Sequence, residues 1–293
     1  MSSSAQGRSG GGVIPPGLHM VAVPIGAARD ISLRALDVLA GADVLAAEDT
    51  RTLRRLLEIH GIALNGRPLV AYHDHNEGQA LPRLLGALRL GKSVAYAPEA
   101  GTPLVSDPGF GLVRAVVAEG LPVVAVPGAS AMLCALAVSG LPSDRFLFAG
   151  FPPAAAGERA RFLAELAGVR ATLIFYESPR RVGRLLAEMA VSLGAERQAA
   201  VCRELTKRFE EVSRGTLGAL AGSFAGTDPK GEIVLVVDRA AEAPPDADSL
   251  ETALRTALQT MTLKDAAAHV AEKMGAAKRD IYQMALKLSE RQG

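Results

Sequence analysis

The chain has 293 residues, with 32 Lys and Arg against 31 Asp and Glu and a formal net charge of +1. At roughly 100–200 residues per domain, this length holds two domains or one large one. The balanced charge excludes a histone-like or polybasic membrane-surface protein, so any nucleic-acid contact must be a local patch. Hydrophobic residues make up 49% and aromatic residues 4%, a composition that argues for a folded α/β protein rather than a disordered one. Cys134 and Cys202, each flanked by apolar residues, are too few for a disulfide framework or a four-thiolate zinc site. They read as buried thiols in a reducing compartment, the cytoplasm.

Residues 1–17 are rich in Ser, Gly and Pro and lack an apolar run of signal-peptide length, so they read as a disordered leader. From 18 to 126, short apolar runs alternate with stretches of helical period, the pattern of a mostly parallel sheet covered by helices. The expected strands are Leu18–Val23, Asp43–Ala47, Pro68–Tyr72, Ser93–Ala97 and Val123–Val126. The first expected helix opens at Asp30 as N-cap and offers Ile31, Leu33, Leu36, Val38 and Leu39 to the core. Further helices are expected over Thr50–His60, Glu77–Arg89 and Gly109–Glu119. The uncharged stretch Gly120–Ser143 is cut by Pro122, Pro127 and Gly128 and supports no transmembrane helix.

A second α/β unit spans 127–240, with apolar runs at Phe146–Ala149, Thr172–Tyr176, Ala199–Arg203 and Ile233–Val237. Phe209–Arg214 follows Ala199–Arg203 closely enough to pair with it antiparallel in a mixed sheet. Residues 241–248 read as a linker because of their paired prolines. Residues 249–293 form a helical module, with helices at Ser249–Met261, Leu263–Met274 and Lys278–Leu288 and Gly275 placed like the turn of a helix-turn-helix. From Asp246 onward acids and bases balance at seven each, so a packing or dimer element is the plainer reading than nucleic-acid contact.

Gly86–Ser93 fits the phosphate-loop consensus G-x-x-x-x-G-K-[ST], but a helix precedes it and a strand follows, the reverse of what phosphate binding needs. The first strand runs into Pro24-Ile25-Gly26 rather than a G-x-G-x-x-G turn, so dinucleotide binding fails too. Three other loops stand at the C-terminal ends of strands: Val23–Gly26, Pro98–Pro103 and Val126–Ala131. Any one of them could be an ordinary tight turn. Three on one edge point to a small-molecule site, since Gly and Ala let the backbone approach a flat ligand and Ser130 can cap a helix or touch that ligand.

Polar candidates flank this edge. Glu48 and Asp49 end the second strand, where one of them can cap the next helix, and Arg51, Arg54 and Arg55 cluster within about a turn as a phosphate-sized basic patch. His73, Asp74 and His75 alternate after the third strand, a pattern that suits a polar cleft better than a metal site because the imidazoles and the carboxylate of an extended triplet point to opposite sides. Arg180, Arg181, Arg203, Lys207 and Arg208 concentrate positive charge where a polyanion could lie.

Together these segments resemble the bacterial 16S ribosomal RNA (cytidine-2′-O)-methyltransferases, the ribosomal small subunit methyltransferase I family of the tetrapyrrole-methylase-like superfamily. The likeness rests on Val21–Gly26, Asp30–Leu36, Ala47–Arg51, Tyr72–Glu77, Ala100–Gly109, Pro127–Gly128 with Ser130–Ala131, Leu141–Phe146, Phe175–Arg181, Arg203–Lys207 and Lys230–Glu232. It implies two α/β/α domains with S-adenosylmethionine between them, a small C-terminal helical domain, a homodimer, and a cytidine 2′-hydroxyl in the decoding region of 16S rRNA as target, presented on the 30S subunit. On that basis Pro24, Gly26, Glu99, Ala100, Gly101, Thr102, Ser130, Ala131 and Tyr176 are expected to hold the cofactor. Arg51, Arg54, Arg180, Arg181 and Lys207 are expected to hold rRNA phosphates, and no metal is expected. Glu48, Asp49 and His73 are candidates to accept the hydroxyl proton; were Asp49 the acceptor, Asp49→Asn would lower turnover by orders of magnitude. The chain departs from the family pattern at Pro98-Glu99, which stands where Ser-Asp is usual. A small-molecule methyltransferase of the same fold and a ribosome-assembly factor that only binds cofactor are the alternatives.

Overall fold

The computed structural model describes residues 13–73, 75–106, 108–227, 229–241 and 247–290. Its first five strands follow the first five apolar runs: β1 (Gly17–Val21), β2 (Val44–Ala47), β3 (Leu69–Ala71), β4 (Ser93–Ala97) and β5 (Val123–Val126). They form an all-parallel sheet in the order β3-β2-β4-β1-β5. Parallel strands need crossovers that place helices on both faces, which is why β1, β2 and β4 are buried along their whole length. One face is covered by α3 (Glu77–Arg89) and α4 (Phe110–Ala118) through Leu84, Leu88, Leu112 and Val116. The other is covered by α1 (Leu33–Gly41) and α2 (Thr50–Ile59) through Val38, Leu39, Leu53 and Leu57.

Two local expectations are corrected. The first helix opens at Leu33, not after Asp30: Ser32 Oγ accepts the Ala35 amide at 3.1 Å as the cap, and Ala28–Asp30 forms a separate 3₁₀ turn. Both residues are good cap formers, and the later start turns Ala35, Val38 and Leu39 to the sheet while Leu33 stays 61% exposed. The first strand also stops at Val21, leaving Val23 to make an isolated bridge with Gly101.

The second sheet contains β6 (Phe146–Gly150), β7 (Thr172–Glu177), β8 (Gln198–Arg203), β9 (Glu211–Thr216) and β10 (Ile233–Val237), in the order β6-β7-β10-β8-β9. Only β6 and β7 run parallel; the other neighbours, including β8 and β9, are antiparallel. β9 begins two residues after Phe209, whose exposed ring instead lies 5.4 Å from the Arg208 guanidinium. One face carries α6 (Ala156–Leu166), α7 (Pro179–Leu193) and α8 (Leu217–Phe224). The other carries α5 (Ala131–Ser139), which packs Ala135 and Leu136 against Ile174, Ala200, Val234 and Val236. α5 therefore follows a strand of the first sheet but belongs to the core of the second.

Arg159 of α6 is buried beneath this layer. Its Nη2 donates to Glu188 Oε1 of α7 at 2.7 Å, its Nε to Glu188 Oε2, and its Nη1 to the carbonyls of Pro153 at 3.0 Å and Ala154 at 2.7 Å. Every guanidinium nitrogen thus has an acceptor, which makes a buried cation tolerable.

A separate unit holds α9 (Ala247–Leu258), α10 (Leu263–Met274) and α11 (Lys278–Glu290) around Leu254, Ala267, Val270, Ile281, Ala285 and Leu288. Thr262 caps α10, and Gly275 ends it in a left-handed conformation, φ 63°. Of the expected leader, residues 1–12 lie outside the described residues; 13–16 lead directly into β1, and His19 Nε2 lies 2.9 Å from the Pro15 carbonyl. Residues 242–246 of the expected linker are likewise outside the described residues, and Ala247 and Asp248 already belong to α9. Among the described residues no helix is long and apolar enough to cross a membrane.

Candidate functional site

β4, β1 and β5 are adjacent, so the loops leaving their C-terminal ends converge at the edge where open α/β sheets bind ligands. Backbone hydrogen bonds lock the first two together, from the Val23 amide to the Gly101 carbonyl at 2.9 Å and back at 3.1 Å. Thr102 Oγ1 donates to the Ala129 carbonyl at 2.9 Å and ties in the third. This closeness requires glycine: Gly101 has φ +74°, and a Cβ there would lie 3.2 Å from Ile25 Cγ2. From the second sheet, the loop after β8 crosses to the first. The Ala27 amide donates to Thr206 Oγ1 at 3.2 Å, and Gly26 lies so near that a Cβ would stand 2.6 Å from Lys207 Cγ.

These loops enclose a cleft of about 720 Å³, a volume in the range of nucleoside-sized ligands. Its wall includes Pro24, Gly26, Glu99, Ala100, Gly101, Thr102, Ser130, Ala131 and Tyr176, the nine residues grouped for the cofactor from sequence. It also includes Arg55, Phe151, Glu177 and Glu232, which the sequence reading left out of that group. Tyr176 is held edge-on by Phe148 and Phe151, with ring centroids 4.8 and 5.5 Å away.

Two polar atoms in this wall are buried without a hydrogen-bond partner, Ser130 Oγ and Glu177 Oε2. Ser130 opens α5, yet its hydroxyl makes no capping bond. Glu177 ends β7; its Oε1 accepts the Ser178 amide at 2.7 Å, while Oε2 lies 3.2 Å from Arg181 Nη2 in a side chain only 1% exposed. Glu177 Oε2 thus has an ion-pair partner but no hydrogen bond, and Ser130 Oγ has no hydrogen bond; buried polar atoms short of hydrogen bonds are rare in folded proteins and mark places where a ligand completes the bonding. A hydroxyl and a carboxylate suit a ligand that carries amine and ribose hydroxyl hydrogens, as S-adenosylmethionine does. The signal for Glu177 was present in the sequence, as an acid closing an apolar run just before a helix-opening Ser-Pro.

The candidate proton acceptors separate. Glu48 is half-buried and next to the cleft through Glu99, whose amide donates to its Oε2 at 3.0 Å; Glu48 itself does not line the wall. Asp49 is instead the cap of α2: Oδ1 accepts the Arg51 amide at 2.7 Å, and Oδ2 pairs with Arg51 Nη2 at 2.9 Å. Hydrogen bonds from the Arg51 side chain and backbone hold its carboxyl down to about 2, and so weak a base is a poor proton acceptor. His73 follows β3, an edge strand of the first sheet, and is not part of the cleft wall. Its amide donates to Asn76 Oδ1 at 2.9 Å, and Asp74 lies outside the described residues. Among the described residues no group of three or more His, Cys, Asp or Glu side chains could hold a metal ion.

Three of the five expected phosphate contacts make ion pairs within the chain. Arg51 pairs with the Asp49 cap. Arg181 pairs with Glu177 and donates to the Pro152 and Pro153 carbonyls at 2.7 and 3.2 Å. Lys207 bridges Glu204 at 3.0 Å and Glu232 at 3.2 Å; burial alone would lower its pKa, but the two carboxylates outweigh that and raise it. Sequence displays such charges without their partners, and here each has a carboxylate partner in the same chain. Arg54 and Arg180 are exposed outside the wall, while Arg55 lines it. Cys202 is buried, and burial pushes its thiol up to about 11; Cys134, expected to be buried, is only half-buried.

Residues 17–221 match the tetrapyrrole (corrin/porphyrin) methylase family, and residues 243–289 match the RsmI C-terminal HTH domain. Fold and cleft thus define a methyltransferase of the tetrapyrrole-methylase class, whose methyl donor is S-adenosylmethionine. The chain is 50% identical over 284 residues to ribosomal RNA small subunit methyltransferase I of Mesorhizobium japonicum, covering 96% of this chain and 95% of that protein. It is 46% identical to the protein of the same name from Pseudomonas aeruginosa, covering 94% and 98%. Its fold superposes on uroporphyrin-III C-methyltransferase from Thermus thermophilus complexed with S-adenosylhomocysteine, with a TM-score of 0.51 at 21% identity, covering 75% and 96%. The chain belongs to the ribosomal RNA small subunit methyltransferase I family.

Proposed function

We propose that the protein methylates the 2′-hydroxyl of a cytidine ribose in the decoding region of 16S rRNA, acting in the cytoplasm on the assembled 30S subunit as a homodimer. The observation that carries the reading is the cleft, in which loops from both sheets meet around the Ser130 hydroxyl, buried without a hydrogen-bond partner, and the buried Glu177 carboxylate. The rRNA substrate follows the name of the relatives, and the nucleotide follows the resemblance in sequence. The edge strands β5 and β6 expose Val123, Phe146 and Leu147, apolar surface of the kind a second copy would cover.

S-adenosylmethionine supplies a methyl group activated by its sulfonium. The loops at Pro24–Gly26, Glu99–Thr102 and Ser130–Ala131, with Tyr176, would hold it, and Ser130 and Glu177 would accept its polar hydrogens. Holding the acceptor oxygen in line for attack lowers the barrier by roughly 7–11 kcal/mol. Glu48, beside Glu99, accepts the hydroxyl proton. Glu48→Gln is therefore expected to slow single-turnover methyl transfer about 100-fold with unchanged cofactor affinity, whereas Asp49→Asn stays within about tenfold of wild type. The reverse order of the two variants would return the role to Asp49.

Arg54 and Arg180, exposed and in no ion pair among the described residues, take rRNA phosphates, with Arg55 at the mouth of the cleft. Replacing both Arg54 and Arg180 with Gln should weaken 30S binding and lower the slope of log K against log salt by about two; an unchanged slope removes them from the interface. The deciding experiment transfers tritiated methyl from S-adenosylmethionine to 30S subunits that lack the modification and maps the label. Label in a 2′-O-methylcytidine of the decoding region supports the reading. No label, with cofactor binding confirmed, rejects it.

A further inference from the structure

From Asp246 onward the sequence balances seven acidic against seven basic residues, but these charges are not evenly placed. α11 turns Ile281, Ala285 and Leu288 into the module's core. Its outward side carries Arg279, Tyr282, Gln283 and Lys287 at spacings of three, four and eight residues, so they share one face. All four are exposed, Tyr282 to 38%, and Lys278 stands exposed in the first turn beside them. Asp280 falls in the first turn, where an acid complements the helix dipole, and Glu290 is the last residue of the helix. By contrast, Arg255 on α9 is tied to Glu251 at 2.7 Å, and no ion pair engages Lys278, Arg279 or Lys287 among the described residues.

We propose that this face of α11 is an RNA-contacting surface that docks a single-stranded or looped segment of the substrate rRNA. The inference rests on the rRNA reading above and deepens it. The chemistry fits that occupant. Arg279 and Lys287 neutralise phosphates about 12 Å apart along the helix, at roughly 1.5 Å per residue. Tyr282 between them offers a flat ring on which an unpaired base stacks, and the Gln283 amide can both donate to and accept from a base edge. The order α10, Gly275 turn, α11 also makes α11 the second helix of a helix-turn-helix, the one such modules present to nucleic acid. A packing surface for a second copy would instead place apolar side chains at these positions.

The test uses the full chain carrying Arg279→Gln, Tyr282→Ala and Lys287→Gln together. Binding to purified 30S subunits is measured across a salt series, alongside S-adenosylmethionine affinity and circular dichroism. The expected result is binding weaker by about tenfold or more and a salt slope reduced by about one and a half to two. The KM for subunits rises while kcat, cofactor affinity and helix content hold. A control with the same charge change, Arg255→Gln and Lys264→Gln on α9 and α10, keeps wild-type binding. Unchanged affinity and slope in the triple variant, or an equal loss in the control, overturn the proposal while leaving the rRNA reading intact if wild-type protein still methylates the subunit. Wild-type protein that neither binds nor methylates 30S subunits overturns both.

Discussion

A Gly101→Val variant is expected to lose cofactor binding while remaining folded. Gly101 has φ +74° and exchanges both backbone hydrogen bonds with Val23. A side chain in this left-handed region costs about 1–2 kcal/mol, and a β-branched one is a conformational outlier. Its Cβ would begin 3.2 Å from Ile25 Cγ2, so the γ-methyl groups must push Ile25 aside or enter the cleft. Titration calorimetry should show S-adenosylmethionine binding weakened by roughly 100-fold, about 2.7 kcal/mol. Gly91→Val is the matched control: its φ is +73°, but no atom lies within 4 Å of an added Cβ, so it carries the backbone strain without the intrusion. Equal affinities in the two variants would show that the Gly101 loop does not shape the cofactor site.

Glu188→Ala should produce the largest loss of stability. It leaves the Arg159 guanidinium, only 2% exposed in its side chain, bonded to two carbonyls, with only the more distant Glu177 carboxylate as counter-charge. Breaking a buried pair from one side costs about 3–5 kcal/mol; Glu188 is about one-third exposed, which favours the lower end, about 3 kcal/mol. For a unit of this size that is a fall of roughly 6–12 °C in Tm. Replacing both partners, Arg159→Met with Glu188→Leu, should recover much of the loss, because no charge is then stranded. The hydrogen bond from Arg159 holds the Glu188 carboxyl below the usual carboxylate range. Its contribution is therefore full above the unfolded value of roughly 4.3 and disappears as pH falls through the lower folded one. The stability gap between wild type and Glu188→Ala should narrow below about pH 4. A gap that stays constant to pH 2 would mean the pair contributes little.

The parallel sheet was legible because βα alternation leaves a strong periodic trace, and the cleft because its Gly and Pro loops fall at strand ends. The mixed sheet was readable from the short spacing between Ala199–Arg203 and the following polar-apolar alternation. What escaped was partnership. Asp30 and Ser32 are both competent caps two residues apart, and which one wins depends on which helix phase turns Val38 and Leu39 to the sheet. The Glu177–Arg181 pair has helical i,i+4 spacing and could have been found. Glu232 lies 25 positions from Lys207 in sequence, and only the second sheet brings them to 3.2 Å.

α5 belongs by sequence to the strand before it and by packing to the sheet after it. The ligand cleft is consequently a property of the join and of neither half. A chain severed between Val126 and Ala131 would give two pieces, each keeping a sheet, with Gly26 and Gly101 on one and Ser130 and Tyr176 or Tyr176 alone on the other according to where the cut falls. Such pieces can regain a nucleoside site only by docking to each other, so recovery of binding on mixing would report how much of the architecture is held by surface fit rather than by continuity of the backbone.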